Sequence, residues 1–396
     1  MISVKLGDLI ASGEAIIKTG PFGTQLKAAE YVDYGTPVIN VKNIGFGAVI
    51  RNKLDMVGQA TLERLEAHIL RAGDIVFGRK GAVERHAYIR EAEAGWMQGS
   101  DCIRLRIDSE RVNSHYLSYY FLIPKHQAFM IGMCSHGTTM ASLNQKILEQ
   151  IEIPIPDIKI QNRVVSILKT IDDRISINSK INDNLQQQAF TLFDKLLSGE
   201  HLDVCSLAEI AKLNPKRSLT KNEMARYIDM AQLSTSGSFP NGWEIKPYNG
   251  GMRFANGDTL LARITPCLEN GKTAYIDFLD ADEVAFGSTE YVVMCSQGQY
   301  PSEFFYCLAR YPSFVDYAVK NMNGSSGRQR VSAETIGRYI LPRITDDELA
   351  EFRDVVPALF SAMRLNSLEI ISLAELRDAL LPKLMSGEID VSDIQI

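Results

Sequence analysis

The sequence is poor in the residues that anchor metal and redox chemistry. It has six cysteines and six histidines in 396 residues. Cys102, Cys134, Cys205, Cys267, Cys295 and Cys307 form no C-x-x-C and the histidines no H-E-x-x-H, so neither a disulfide framework nor a zinc site is signalled. The cysteines read as reduced thiols, mostly buried. No apolar run reaches the roughly 18 residues a membrane span needs, and the opening "MISVKLGDLIASGEAIIKTG" has no basic start followed by a continuous apolar stretch. A cytoplasmic location is expected.

Positive charge is not in excess either. The net charge is -6, and the deficit sits at one end: residues 343–396 carry 5 Lys+Arg against 11 Asp+Glu, whereas residues 1–155 carry 17 against 16 and residues 201–342 carry 14 against 15. Each near-neutral stretch has enough cations for a basic face, so charge neither shows nor excludes a nucleic-acid partner.

Catalytic signatures are missing as well. "NPKR" at Asn214 lacks the second proline and the aromatic of a loop that holds a flipped base. "GFG" at Gly45 lacks the context of a dinucleotide site and reads as a turn. "PCLENGKT" at Pro266 puts proline where a phosphate loop needs its first glycine, which makes a hairpin turn at Asn270-Gly271 the better reading. "DIK" at Asp157 has no second acid at nuclease spacing, and there is no serine-nucleophile motif.

What is present is a duplication. "LLSGE" at Leu196 and "LMSGE" at Leu384 lie 188 residues apart, and the same offset relates Lys195 to Lys383, Leu185 to Leu373, Asn178 to Asn366 and Pro154 to Pro342. Further upstream the offsets are 184 ("AGDIVFGR" at Ala72, "NGDTLLAR" at Asn256) and 201 ("LGDLI" at Leu6, "LAEIA" at Leu207), so the second copy is shorter by 13 residues, lost before Gly287. A period this long marks a duplicated domain rather than a solenoid unit.

Each copy ends in a helical signature. Val164, Leu168, Ile171, Ile175, Asn178, Asn182, Leu185, Ala189, Leu192 and Leu196 alternate by four and three, as do Phe352, Val356, Leu359, Met363, Asn366, Ile370, Leu373, Arg377, Leu380 and Leu384. This is the seam of a coiled coil, with an asparagine at the same place in each to set register, and a glycine (Gly199, Gly387) to close each helix. A narrow seam needs a partner, so the two helices are expected to pack on each other; the alternative is that each packs only on its own domain. Pro357 and Pro382 are expected in the first or last turns of the second helix. Upstream, "TPVINV", "DIVFGR", "YIDFL" and "EYVVMC" read as strands between Asn-Gly turns, and "VNSHYLSYYFL" at Val112 and "PSEFFYCLARYPSFVDYAVK" at Pro301 as helices. The expected fold class is α+β: domains over 1–155 and 201–342, long helices over 156–200 and 343–396, and a pseudo-twofold arrangement with an antiparallel coiled coil.

"GPFGTQL" at Gly20, "GDIVFGRKGA" at Gly73, "GTTMASLNQKILEQIEIPIP" at Gly137, "NGDTLLARITPCLENGK" at Asn256, "GSSGRQRVSAETIGRYILP" at Gly324 and "LPKLMSGEI" at Leu381 together resemble the specificity subunits of type I restriction-modification systems. The resemblance covers nearly the whole chain. It implies two target-recognition domains, each reading one half of a split DNA sequence, and helices that act as a spacer. It implies a subunit without enzymatic activity that recruits two adenine methyltransferase subunits and, with motor-nuclease subunits, forms the restriction enzyme. S-adenosylmethionine, ATP and magnesium then belong to the partners, with no cofactor or metal on this chain.

Loops that combine Lys or Arg with small or amide residues suit phosphate and base-edge contacts. On that ground the DNA-contact candidates are Thr24, Gln25, Lys27, Arg79 and Lys80 in the first domain and Arg263, Thr265, Arg328, Gln329 and Arg330 in the second. For Arg79 and Arg263 a framework role, tying the domain to its helix, is an equal reading; "GRQR" at Gly327 reads as an exposed, adaptable surface. The two domains differ in most loops, so an asymmetric target is expected. A helix over 164–196 spans roughly 50 Å at about 1.5 Å per residue, or about 15 base pairs at roughly 3.4 Å each. The rival readings are a single-chain DNA-modifying enzyme, which S-adenosylmethionine binding would reveal, and a coiled-coil adaptor that binds only protein, which salt-dependent DNA binding would exclude.

Overall fold

Short apolar runs with β-branched residues pair into sheets, and the two long four-three stripes form the helices that flank them. The structure, a computed structural model, describes residues 2–21, 23, 25–134, 141–199, 201, 203–325 and 327–394. It divides into unit 1, Met1–Ile171 with Leu376–Ile396, and unit 2, Asp172–Glu375.

In unit 1, β1 (Ile2–Lys5) pairs antiparallel with β10 (Glu152–Ile155). A four-stranded antiparallel sheet follows the order β2 (Ala15–Thr19), β9 (Cys102–Ile107), β6 (Ile75–Gly78), β7 (His86–Tyr88). A second sheet follows β3 (Tyr31–Val32), β5 (Asp55–Val57), β4 (Thr36–Ile39), β8 (Met97–Gln98), with β4 and β8 parallel. Around the sheets lie α1 (Leu6–Ala11), α2 (Gln59–Arg64), α3 (Ser114–Leu122), α4 (Pro124–Cys134) and α5 (Gln145–Glu149), and the chain then enters α6 (Ile158–Leu197).

Unit 2 repeats this plan. The ribbon is β11 (Val204–Ser206) with β20 (Ile340–Pro342), and the antiparallel sheet is β12 (Ala211–Leu213), β19 (Tyr291–Ser296), β16 (Thr259–Ala262), β17 (Thr273–Tyr275). The mixed sheet is β14 (Glu244–Pro247), β13 (Met224–Ile228), β18 (Ala285–Gly287), β15 (Met252–Phe254), with β13 and β18 parallel. Its helices are α7 (Leu207–Ile210), α8 (Ser302–Arg310), α9 (Pro312–Lys320), α10 (Ala333–Gly337) and α11 (Asp346–Ser386). Strand registers carry the duplication to single residues: Ser3 opposes Pro154 as Val204 opposes Pro342, and Ile75 opposes Leu105 as Thr259 opposes Met294. The last pair sets β9 and β19 at an offset of 189, one more than the offset of 188 between Gly99 and Gly287, so the second copy also gains a residue there.

Gly99 and Gly287 recur because the backbone is crowded at both places. A Cβ on Gly99 would lie 2.6 Å from the Ile39 carbonyl oxygen, and one on Gly287 2.5 Å from that of Ile228. These are the points where the parallel strand of the mixed sheet passes closest, and only glycine fits.

Each unit buries part of both long helices. In unit 1, Val164, Val165 and Leu168 of α6 share one core with Leu381, Leu384 and Met385 of α11 and with the sheet and α3 side chains. In unit 2, Ala189, Phe193 and Leu196 share a core with Phe352, Val356, Phe360 and Met363 and with the aromatic face of α8. Pairing within unit 2 is antiparallel: Arg174 and Asn178 bond Glu369, Asn182 bonds Met363 and Ser367, and Lys195 pairs with Glu351. The expectation that the helices pack on each other holds, and the alternative that each packs only on its own domain does not, although a globular core also covers part of each helix.

The third layer widens the seam. Leu168, Ile171, Asn178 and Met363 are buried, but Ile175, Leu185, Leu192, Leu359, Asn366, Ile370, Leu373 and Leu380 are only half-buried. The fully covered positions include Phe193 and Phe360, each one residue off the expected stripe, because the globular core approaches the helix pair from that side. Pro357 sits well inside α11 rather than in a terminal turn, because the helix already starts at Asp346. By length and composition α11 also passes as a membrane-spanning helix. Its apolar side chains Phe352, Val356, Phe360 and Met363 are instead buried in unit 2.

The seam asparagines find different partners. Asn178 donates to Glu369 at 2.8 Å, whereas Asn366 donates to the Asn182 side-chain oxygen at 2.9 Å, and Asn182 donates to Ser367 at 3.0 Å. Asn182→Ala should therefore cost about 1–3 kcal/mol, because it strands the Asn366 amide. An unchanged urea midpoint for that variant would refute the pairing.

Candidate nucleic-acid interface

In unit 2 the five chosen candidates come together at the end of β16. Past Ala262 the chain continues as Arg263-Ile264-Thr265, and the returning segment before α10 runs alongside it. Arg263 N–H donates to the Glu290 carbonyl at 3.0 Å, Val331 N–H to the Arg263 carbonyl at 3.0 Å, and Thr265 N–H to the Gln329 carbonyl at 3.0 Å. Thr265 Oγ1 donates to the same Gln329 oxygen at 3.2 Å. Asn323 and Arg330 exchange both backbone hydrogen bonds at 2.9 Å, closing a short loop that carries Arg328.

The charges at this rim are arranged rather than dispersed. Arg330 Nε lies 2.9 Å from both carboxylate oxygens of Glu290, its Nη2 lies 2.7 Å from Oε1, and Arg263 Nε lies 3.2 Å from Oε2. The Glu290 carboxyl is held below the usual carboxylate range, first by the Arg330 hydrogen bonds and also by Arg263, against a desolvation that raises it. Arg330 Nη1 donates to the Arg328 carbonyl at 3.1 Å. The "GRQR" stretch is thus a braced edge in which Arg328 is the exposed cation and Gln329 and Arg330 are half-buried, not an adaptable surface. Arg328 carries no ion pair among the described residues.

Unit 1 has the same frame. Arg79 N–H donates to the Asp101 carbonyl at 2.8 Å, and Leu143 N–H to the Arg79 carbonyl at 2.8 Å. Lys80 bridges Ser142 antiparallel, and its Nζ lies 3.5 Å from Asp101. Gln145 Nε2 donates to Thr19 Oγ1 at 3.1 Å beside this edge. For Arg79 and Arg263 the framework to which the backbone is tied is an acidic residue at the strand's end, not the long helix.

Gln25 and Lys27 stand apart from that frame. Both are exposed; Arg64 donates to the Gln25 carbonyl at 2.9 Å, and Lys27 N–H donates to Glu30 at 2.8 Å. No hydrogen bond or ion pair among the described residues joins this loop to Arg79 or Lys80. Thr24 lies outside the described residues. Residue-type reasoning missed Asp101 and Glu290. Their signal was the recurring "GSD" and "GSTE", whose acids take the same place once the extra residue of the second copy is allowed for. No group of three metal-ligating side chains occurs among the described residues.

Residues 3–187 match the type I restriction modification DNA specificity domain. That stretch, a little under half of the chain, is thus a DNA specificity domain of the type I restriction-modification kind. The chain is similar to the MjaIX specificity subunit of Methanocaldococcus jannaschii, 24% identical over 73% of this chain and 72% of the relative. It is also similar to the HindI specificity subunit of Haemophilus influenzae, 22% identical over 88% of this chain and 94% of the relative. In fold, the chain resembles the crystal structure of a type I restriction-modification S subunit from M. genitalium, with a TM-score of 0.59 at 15% identity over 97% of this chain and 95% of the other. It is accordingly a DNA-recognition component rather than a catalytic one.

Proposed function

We propose that each of the two globular domains reads one half of a bipartite DNA target, that the halves differ, and that the long helices set the gap between them and dock two adenine methyltransferase subunits. The observation that carries this reading is the pair of rims built on one backbone frame with different side chains. Arg79, Lys80, Asp101 and Ser142 stand in unit 1 where Arg263, Ile264, Glu290 and Arg330 stand in unit 2. Equal frames with unequal edges suit two readings of similar geometry and different sequence. S-adenosylmethionine, ATP and magnesium belong, on this proposal, to the methyltransferase and motor-nuclease partners.

A methylation map of a cell expressing the system tests this directly. The expected result is one asymmetric split motif. Inserting residues near Pro156 or Pro342, where a domain joins its helix, should lengthen the unspecified gap and leave both half-sites as they were. A palindromic or continuous motif, or a gap indifferent to both insertions, would reject the proposal. The complex should also lose DNA affinity steeply with salt, with a slope near 0.9 per neutralised phosphate on logarithmic axes.

A further inference from the structure

The two rims share an acid, and neither acid stands without a cation. Asp101 in unit 1 and Glu290 in unit 2 each accept the backbone N–H of the arginine that ends the neighbouring strand. The cation on the acid's side chain comes from different places. In unit 1 it is Lys80, at 3.5 Å, with Ser142 bridged opposite it. In unit 2 the bridge joins Ile264 and Arg330, and the cation is Arg330, at 2.7 Å, joined by Arg263 at 3.2 Å. Between the copies the basic residue has moved to the opposite strand of the same bridge while the acid has stayed. Packing alone does not call for that exchange; a requirement for a cation on this acid does.

We infer that Asp101 and Glu290 are positioning carboxylates that keep the rim cations from seizing any phosphate, so that discrimination is left to contacts with base edges. The inference rests on the DNA-reading role proposed above and adds how that role is made selective. A guanidinium without a partner gains from a phosphate at every sequence and so strengthens cognate and random DNA alike. A guanidinium already bidentate on a carboxylate must give up those charge-assisted bonds first, which offsets most of the gain. The carboxylate also fixes the edge from which Arg328 projects, because Arg330 ties Glu290 to the Arg328 carbonyl.

The test uses the full chain in its assembled methyltransferase complex. Probes are the cognate duplex taken from the methylation map and a random-sequence duplex of equal length, titrated across a series of NaCl concentrations. Glu290→Gln keeps the side chain's size and an acceptor oxygen but removes its charge. It should bind random duplex several-fold more tightly, with a salt slope steeper by about 0.9 to 1.8, and its preference for cognate over random DNA should fall about tenfold. Glu290→Asp should restore most of that preference. In methylation maps, E290Q should relax one half-site and D101N the other.

Two results would overturn the inference alone: an E290Q complex that matches wild type in slope and preference, or one whose cognate and random affinities fall together with its unfolding midpoint. A wild-type complex that does not prefer cognate DNA would overturn the DNA-reading role, and this inference with it.

Discussion

Lowering the pH from 6.5 to 4.5 will destabilise unit 1 by roughly 5 kcal/mol and leave unit 2 nearly untouched. His86 is fully buried, its Nε2 2.8 Å from Ser118 Oγ and its ring against Phe77 and Phe121. His126 is also buried, against Phe121 and Tyr120. Burial depresses both, His86 to about 3, with a further push from neighbouring His126, and His126 to about 4. Folded values below the ordinary 6.5 mean that the unfolded chain takes up these protons first. The stability is complete above pH 6.5 and drains as the pH falls, at about 1.4 kcal/mol per pH unit per histidine. Unit 2 contains only one histidine, His201, and burial raises its Asp258 and Asp277 carboxyls, which take up protons first in the folded state and so add nothing to the loss.

The two tryptophans, Trp96 in unit 1 and Trp243 in unit 2, separate the signals. Urea titrations of single-tryptophan chains should show the Trp96 midpoint falling with pH while the Trp243 midpoint holds. Replacing both His86 and His126 with glutamine should flatten the Trp96 response. Parallel decline of both midpoints would refute the assignment.

Phe360→Ala should remove about 3–5 kcal/mol from unit 2, the range for a large side chain deleted from a closed core. Its ring meets Tyr275, Tyr306 and Phe239 at centroid distances of 5.2, 5.5 and 6.4 Å, so a cavity there is walled by rings from β17, from α8 and from the loop between β13 and β14. Leu359 lies on the four-three stripe but is only half-buried, and Leu359→Ala should cost clearly less. Denaturation followed by Trp243 compares the two. A larger loss at Leu359 would mean that the helix pair, and not the joint between helix and domain, carries the stability of this region.

That comparison shows where a linear pattern stops being informative. The stripe in α11 was legible because side chains three and four apart share a helix face whatever the helix touches. Which edge of the stripe is buried depends on what approaches from outside, and a globular core on one flank shifted full burial to Phe193 and Phe360. The strands at Thr36, Ile75 and Tyr291 were legible for the same local reason, as β-branched runs bounded by turns. "YIDFL" contributes only Tyr275 to a strand, because Tyr275 already opposes Thr259, the first residue of its antiparallel partner β16.

The rims divide in the same way. Arg263, Thr265 and Arg330 could be named as candidates from residue type, but nothing in their spacing marks two of the three as already bonded to one acid. Glu290 lies 27 residues from Arg263 and 40 from Arg330, separations at which no local periodicity reports contact. Gln25 and Lys27 were chosen on the same composition and belong to a different part of unit 1.

The amino-acid order alone determined that this protein is a duplication, that each copy is a sheet-containing domain followed by a long amphipathic helix, and that it resembles the type I specificity subunits. Repeats and face periodicities are properties of the chain itself and survive without knowledge of its neighbours. Only the tertiary structure decided which cations are spoken for, which seam positions are sealed, and which acids stand at the rims. Those outcomes depend on pairings between distant segments, and the free energy of a charge or a ring is set by what surrounds it, not by its place in the sequence.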